Sequence, residues 1–358
     1  MGRVVRWVCV VMMLVTSTLA SSLAAPAWAC GCGAYIPNRA GASVSTERAL
    51  IAWDGTTEDI VMAFSVSGSS ERAAWVMPVP SAAEVSLGNP EAFDELVRLT
   101  APRVEYRDDW RPSFDWLTTA GSAETMAGAP PGAGVNVLGR QRIGPFDVTR
   151  LAANDPPVLA NWLSDNGFPS PDGLEQNLAP YVADRWELVA IKLAPAEATG
   201  TLTGQLQPLT LSFTSDRVIY PMRLSRSAKL PQTVDLYVLA DHRMDPSAVP
   251  VARVEPALEF AGRLDATTAA LPLQPYLAKG EFLTRWSNSL AQPDLIDGDY
   301  VFSQADTDTP YQDVVYVTRD RGAITGLILV VALGLGAVTL AIVVASRRRR
   351  STAHLPSA

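Results

Sequence analysis

Apolar positions recur along this chain with strand, helix and membrane-span spacing in turn. Residues 48–53 form an apolar run with an aromatic end, Asp54-Gly55 is a turn signal, and residues 60–66 resume strand character. After Gly68-Ser69-Ser70 comes Ala74-Trp75-Val76-Met77-Pro78-Val79-Pro80. Runs rich in branched and aromatic residues, bounded by turn residues, read as strands. This stretch therefore predicts a three-stranded antiparallel meander, with Pro78 and Pro80 ending the last strand or placing it at an edge.

Asn89-Pro90-Glu91 opens a helix: Asn89 suits the cap, Pro90 the first helical position, and Glu91, Asp94 and Glu95 the positive end of the dipole. Phe93, Leu96, Val97 and Leu99 give that helix an apolar face, and Pro102 closes it. From 110 to 134 the pattern dissolves into Thr, Ala, Gly, Ser and Pro, which predicts a flexible loop. Trp110, Phe114 and Trp116 are expected to anchor its start to the core.

Two more helical stretches follow within residues 156–183, the first stopped by Asn166-Gly167, a pair suited to left-handed geometry. Strand patterns come next at 186–193, 209–213 and 234–239, with Val218-Ile219-Tyr220-Pro221-Met222-Arg223-Leu224 between the last two. Beyond Val251 the signal weakens, and Phe260, Phe282, Leu283 and Trp286 are expected to complete the core. The fold class is α+β: mostly antiparallel sheet with two helical excursions, near 89–100 and 156–183, plus one C-terminal transmembrane helix.

Two apolar segments bracket this body. Residues 1–29 have the zones of a secretory signal: Arg3 and Arg6, an apolar run of about a dozen residues, then small residues up to Ala27-Trp28-Ala29. The run is short of the roughly 20 residues needed to span hydrocarbon, so cleavage after Ala29 is expected. Trp28 argues against a lipoprotein signal ahead of Cys30. Residues 323–345 carry no charge, and thirteen of these 23 residues are Ile, Leu or Val. At 1.5 Å per residue they would make a helix about 34 Å long, enough to cross a bilayer. Arg347, Arg348, Arg349 and Arg350 follow and, by the positive-inside rule, hold the tail in the cytoplasm.

The expected organisation is a signal peptide at 1–29, an extracytoplasmic domain at 30–322, a transmembrane helix at 323–345 and a basic cytoplasmic tail at 346–358. Within the external domain, residues 110–134 are the flexible loop and 294–322 an acidic juxtamembrane stretch. The localisation that follows is a single-pass protein of the cell membrane, with its N-terminal domain outside. All 37 acidic residues lie between the two apolar segments with 23 of the 29 basic ones, a formal charge of −14. Such a surface repels nucleic acid and anionic headgroups.

Removing the signal leaves two of the three cysteines, Cys30 and Cys32, in a Cys-Gly-Cys arrangement. They form a strained disulfide, a bridge to another chain or a redox pair; the spacing does not match the two-residue spacing of thioredoxin-like motifs. Of the two histidines only His242 is external, in Asp241-His242-Arg243, and a solvated turn is its expected setting. No Gly-x-Ser-x-Gly turn accompanies it. Asp294, Asp297, Asp299, Asp306, Asp308 and Asp313 lack the spacing of a calcium loop and read as a solvated stalk. The external tryptophans are expected in the core. No catalytic, cofactor-binding or metal-ligating residue is assigned, and no cofactor.

Several segments together resemble a known family. Cys30-Gly31, Glu47-Arg48-Ala49-Leu50-Ile51-Ala52, Trp75-Val76-Met77-Pro78-Val79-Pro80, Tyr181 with 186–193, Tyr220-Pro221-Met222-Arg223-Leu224-Ser225 and 234–239 resemble, in order, the bacterial family catalogued as domain of unknown function 2330. The resemblance implies an exported envelope protein and supplies no reaction or catalytic residue. Family members often space their cysteines more widely than Cys30 and Cys32, which puts a shared disulfide in doubt. Two function classes follow. One is a non-enzymatic binding or structural module of the cell envelope, with the membrane and an unidentified envelope protein or glycan as partners. The other is a carboxylate-dependent enzyme acting on envelope carbohydrate, which needs two facing acids about 5 to 10 Å apart.

Overall fold

The computed structural model describes residues 33–39, 41–114, 147–152, 156–195, 200–265 and 271–352. The expected signal, Cys30, Cys32, Trp116 and most of the expected 110–134 loop lie outside the described residues. Along the first half run β1 (Ala34–Pro37), β2 (Ser43–Trp53), β3 (Thr57–Ser70), β4 (Ala73–Val79), β5 (Glu84–Leu87), α1 (Glu91–Leu99), β6 (Arg103–Asp109), β7 (Asp147–Ala152), α2 (Pro156–Asp165), α3 (Leu174–Ala183) and β8 (Glu187–Leu193). The second half adds β9 (Leu202–Gln205), β10 (Leu209–Thr214), β11 (Val218–Tyr220), β12 (Gln232–Ala240), β13 (Met244–Ala248), β14 (Ala257–Arg263), α4 (Gln274–Leu277), β15 (Phe282–Leu290), β16 (Tyr300–Gln304), β17 (Tyr311–Gln312), β18 (Val314–Asp320) and α5 (Gly322–Thr352). The chain forms two units, one of β1–β5, α1 and β7–β17, the other of β6, β18 and α5.

The first unit is built on two large sheets with largely antiparallel strands, one in the order β1-β4-β8-β7 and the other in the order β17-β14-β15-β12-β2-β3-β10-β5, with β9 added on β3, and it also holds a three-stranded sheet, β11-β16-β13. Alternation along the strands sets the layers, because successive side chains point to opposite faces. Trp75, Met77, Val189 and Ile191 share one core with Ile51, Ile60, Met62, Phe64, Leu236 and Val238 of the larger sheet. The opposite parity of the smaller sheet, Val76, Leu188 and Ala190, meets Leu159, Leu163, Leu178 and Tyr181 of α2 and α3. The far face of the larger sheet, Leu50, Val61 and Leu239, meets Phe93 and Leu96 of α1 and Tyr276 of α4. Each large sheet is therefore buried on two faces, which is why β4 reads as a continuous apolar run.

That layering corrects the meander. β2 and β3 do form an antiparallel hairpin, but β4 crosses to the other sheet and pairs with β1 and β8. Pro78 is tolerated there because β1 ends its register at Val76, so past that point β4 pairs through β8 alone. Local turn chemistry follows the sequence closely. Asp54 Oδ1 accepts the Thr56 and Thr57 amides at 2.9 and 2.8 Å, and Gly55 takes a φ of 93°. Burial works against the Asp54 charge, but these hydrogen bonds and Lys279 win and lower its pKa to about 2. Asn89 Oδ1 caps α1 by accepting the Glu91 amide at 3.0 Å.

The expected acidic stalk is also corrected. Residues 300–304 are β16, paired with β11 and β13, and Tyr300 and Phe302 are buried in the core. Asp299 is buried, and Asp308 accepts the Arg243 amide at 2.8 Å and faces His242 Nδ1 at 3.0 Å. Asp299 and Asp308 are thus tied into the fold, whereas Asp294, Asp297 and Asp306 are exposed as a solvated stretch would have them.

In the second unit β6 and β18 pair in parallel, from Arg103 opposite Val314 to Asp109 opposite Asp320. An isolated two-stranded ribbon is marginal in water. Here each face carries one cation–π contact: the Arg319 guanidinium lies 3.5 Å from the Tyr106 ring centroid and that of Arg107 lies 3.4 Å from Tyr316. Such contacts contribute about 0.5–1 kcal/mol each at exposed sites. β18 leads into α5, whose portion Gly322–Arg348 reaches a mean hydropathy of 2.9 over 18 residues and is long and apolar enough to cross a membrane. The helix continues through Arg347, Arg348, Arg349 and Arg350 to Thr352.

Candidate functional site

In the first unit a cavity of about 240 Å³ opens where α3, β11, β13 and β16 approach one another. Its charged lining is Asp184, Arg217, Arg223 and Asp299, set among apolar groups that include Ile219, Val249 and Val301. A second cavity, about 210 Å³ beside the β2–β3 pairing, carries the single charged side chain Arg48. The first is the chemically richer site.

Its polar wall is organised around Asp299. Oδ1 accepts the Tyr181 hydroxyl at 2.5 Å, the Met222 amide at 2.7 Å and the Arg223 amide at 3.3 Å. Oδ2 accepts Arg223 Nε at 3.1 Å, and Arg223 Nη1 reaches the Asp297 carbonyl at 2.6 Å. A carboxylate buried to this extent needs paired charge and satisfied lone pairs, and it has both. Burial, reinforced by the Asp299 charge, pushes the Tyr181 hydroxyl well above its ordinary pKa, so it remains a donor. Arg223 can hold this position because the chain leaves β11 through Pro221 and Met222 into a 3-10 turn at Arg223–Ser227. Two consecutive amides, those of Met222 and Arg223, thereby face the same carboxylate oxygen.

The aromatic wall is fixed by the end of α3. Trp186 N–H donates to the Tyr181 carbonyl at 2.9 Å and Arg185 N–H to the Val182 carbonyl at 3.1 Å, the paired closure of a Schellman motif. Arg185 occupies the left-handed position with a φ of 60°, where glycine is the usual residue. The closure folds Trp186 back on Tyr181, with ring centroids 4.9 Å apart.

Sequence reasoning assigned none of these residues a role. Tyr181 and the 220–225 segment stood out as parts of a resemblance, whereas Asp299 was read as one acid of the stalk. Their meeting point is the signal that a linear reading lacks. Arg347 and Arg348 are exposed on α5, and Arg349 and Arg350 continue that helix. His242 is half-exposed and faces Asp308, so its surface setting holds, with a carboxylate partner. Trp75, Trp186 and Trp286 are buried as expected, whereas Trp110 and Phe114 are corrected: both are exposed, at 55% and 42%.

No curated protein matches the chain. Among solved structures, baculovirus P35 is 8% identical over 76% of this chain and 98% of that one, with a TM-score of 0.35. The caspase-8/P35 complex is 9% identical over 74% and 94%, with a TM-score of 0.27. Similarity this low carries no argument about either fold or function. The segments that resembled a bacterial family from sequence fall within a single longer match, residues 26–303, to the family described as an uncharacterized protein conserved in bacteria, DUF2330, and the chain belongs to that family.

Proposed function

We propose that this chain is a binding module of the bacterial cell envelope, exported by residues 1–29, tethered by α5 with Arg347–Arg350 on the cytoplasmic side, and presenting the Asp299 cavity outside. In this reading residues 30–322 are the external part, 323–345 the span and 346–358 the tail, and Cys30 and Cys32 lie at the start of the mature chain. The observation that carries the binding role is the cavity itself. Two of the segments that carried the family resemblance, Tyr181 with Trp186 and the stretch Tyr220 to Ser225, supply residues to it or to the Asp299 wall behind it.

At about 240 Å³ the cavity is smaller than the roughly 300–1,000 Å³ of sites for drug-sized ligands. It suits one side chain of an envelope protein or one sugar unit of a glycan. Arg217, with a side chain 60% exposed, stands at its rim as the accessible cation. The carboxylate-enzyme alternative draws less support, because Asp299 spends both oxygens on Tyr181, Met222 and Arg223 and is a strut rather than a free acid.

A photo-cross-linking residue placed at Arg217 in cells, compared with one at exposed Glu71, tests the reading. The expected result is a discrete adduct from position 217 that position 71 does not give. The same adducts from both positions, or none from 217, would count against it.

A further inference from the structure

We infer that the Trp110–Phe114 segment is a second membrane contact, lying in the headgroup–acyl boundary beside the first turns of α5. The inference rests on the reading of α5 as a transmembrane helix and adds a site to it.

The parallel pairing of β6 with β18 supplies the geometry. Because both strands run the same way, β6 delivers Trp110 to the end of the ribbon where β18 passes into α5. The two chains then stay together. Arg321 N–H donates to the Asp109 carbonyl at 2.8 Å, and Ser113 N–H to the Gly322 carbonyl at 3.0 Å. At Gly326 the approach is closer still. A Cβ there would sit 2.2 Å from the Ser113 carbonyl oxygen and 3.4 Å from Phe114 Cδ1, so the absence of a side chain at Gly326 is what lets the segment dock.

Depth follows from helix rise. Gly326 lies three residues inside the uncharged stretch that begins at Ala323, about 4.5 Å along the axis. A phenylalanine packed at that level cannot avoid the bilayer boundary once α5 spans it. Trp110 and Phe114 are exposed, as are the neighbouring Ile324, Leu327 and Ile328 of the helix, so the apolar surface is continuous in kind from segment to helix. Arg111, with a side chain 91% exposed, is the charged residue between the two aromatics and suits the headgroup layer. Aromatic side chains such as Trp110 are enriched at both membrane–water interfaces. The lipid interface is the occupant that fits, because the segment is fastened to the one described helix able to cross a bilayer.

The test uses the full chain in phosphatidylcholine nanodiscs containing brominated phosphatidylcholine, with bromines either near the headgroup end of the acyl chain or near the bilayer centre. Tryptophan quenching is compared between the native chain and Trp110→Phe. The expected result is a quenched component, stronger with shallow bromines, that is lost in Trp110→Phe. Gly326→Val, which fills the docking space, is expected to weaken that component while the protein still enters the discs. Incorporation with equal quenching in native chain and Trp110→Phe overturns this inference and leaves the anchor standing. Failure to incorporate overturns the anchor reading and this inference with it.

Discussion

Glu58 illustrates what one residue contributes to this fold. It is fully buried on β3, and its Oε2 accepts the Ile219 amide at 3.2 Å. Burial raises its pKa well above the ordinary 4.5; the Ile219 and Ser215 hydrogen bonds and Lys279 oppose the shift and lose. The sign follows from linkage. Between the unfolded value and the raised folded value, the native state holds a proton that the unfolded state has lost. Stability from this group is therefore complete below about pH 4.5 and falls as pH rises toward the folded pKa, by up to about 1.4 kcal/mol per pH unit. Glu58→Gln is expected to remove that slope and to stabilise the protein at neutral pH. Denaturant midpoints for both proteins over a pH series check it, and an unchanged slope in the variant contradicts it. Asp54, Asn89 and Gly167 were legible in the sequence because each bonds a backbone group a few residues away, the first two accepting amides and Gly167 donating to the Ser164 carbonyl. Glu58 and Asp299 were not: their partners Ile219 and Tyr181 lie 161 and 118 positions away, and only the packed sheets bring them together.

At the scale of elements, the end of α3 is the informative case. The α2 terminus closes with Gly167 at a φ of 75°, the conformation glycine adopts at no steric cost. The α3 terminus closes by the same hydrogen-bond pattern with Arg185, and an L-residue there costs about 1 kcal/mol. Arg185→Gly is expected to stabilise the protein by up to about 1 kcal/mol, read as a shift in urea midpoint. A destabilised variant would show instead that the Arg185 side chain contributes more than its backbone costs. Helices and strands with strong local signals, α1 and β12 among them, were readable from caps and branched residues. The partner of β4 was not, since a run buried on both faces fits more than one position in a sheet. β14 to β18 were missed because the apolar pattern weakens there: β15 sets Thr, Arg, Ser and Asn among its core residues, and β17 is two residues long.

At the scale of the molecule, the C-terminal apolar helix was the most legible feature: the 23 uncharged residues followed by four arginines lie in one helix long and apolar enough to cross a membrane. The site was the least legible, because it is made by a family-like tyrosine, a 3-10 turn and an aspartate from three separated parts of the chain. The account stands on the cavity-bearing unit being outside the membrane. Protease added to intact spheroplasts measures this directly, with an epitope on the basic tail as the internal control. The account predicts that residues 33–313 are degraded while α5 and the tail epitope survive until detergent is added; a first unit that stays intact until the membrane is opened would contradict it.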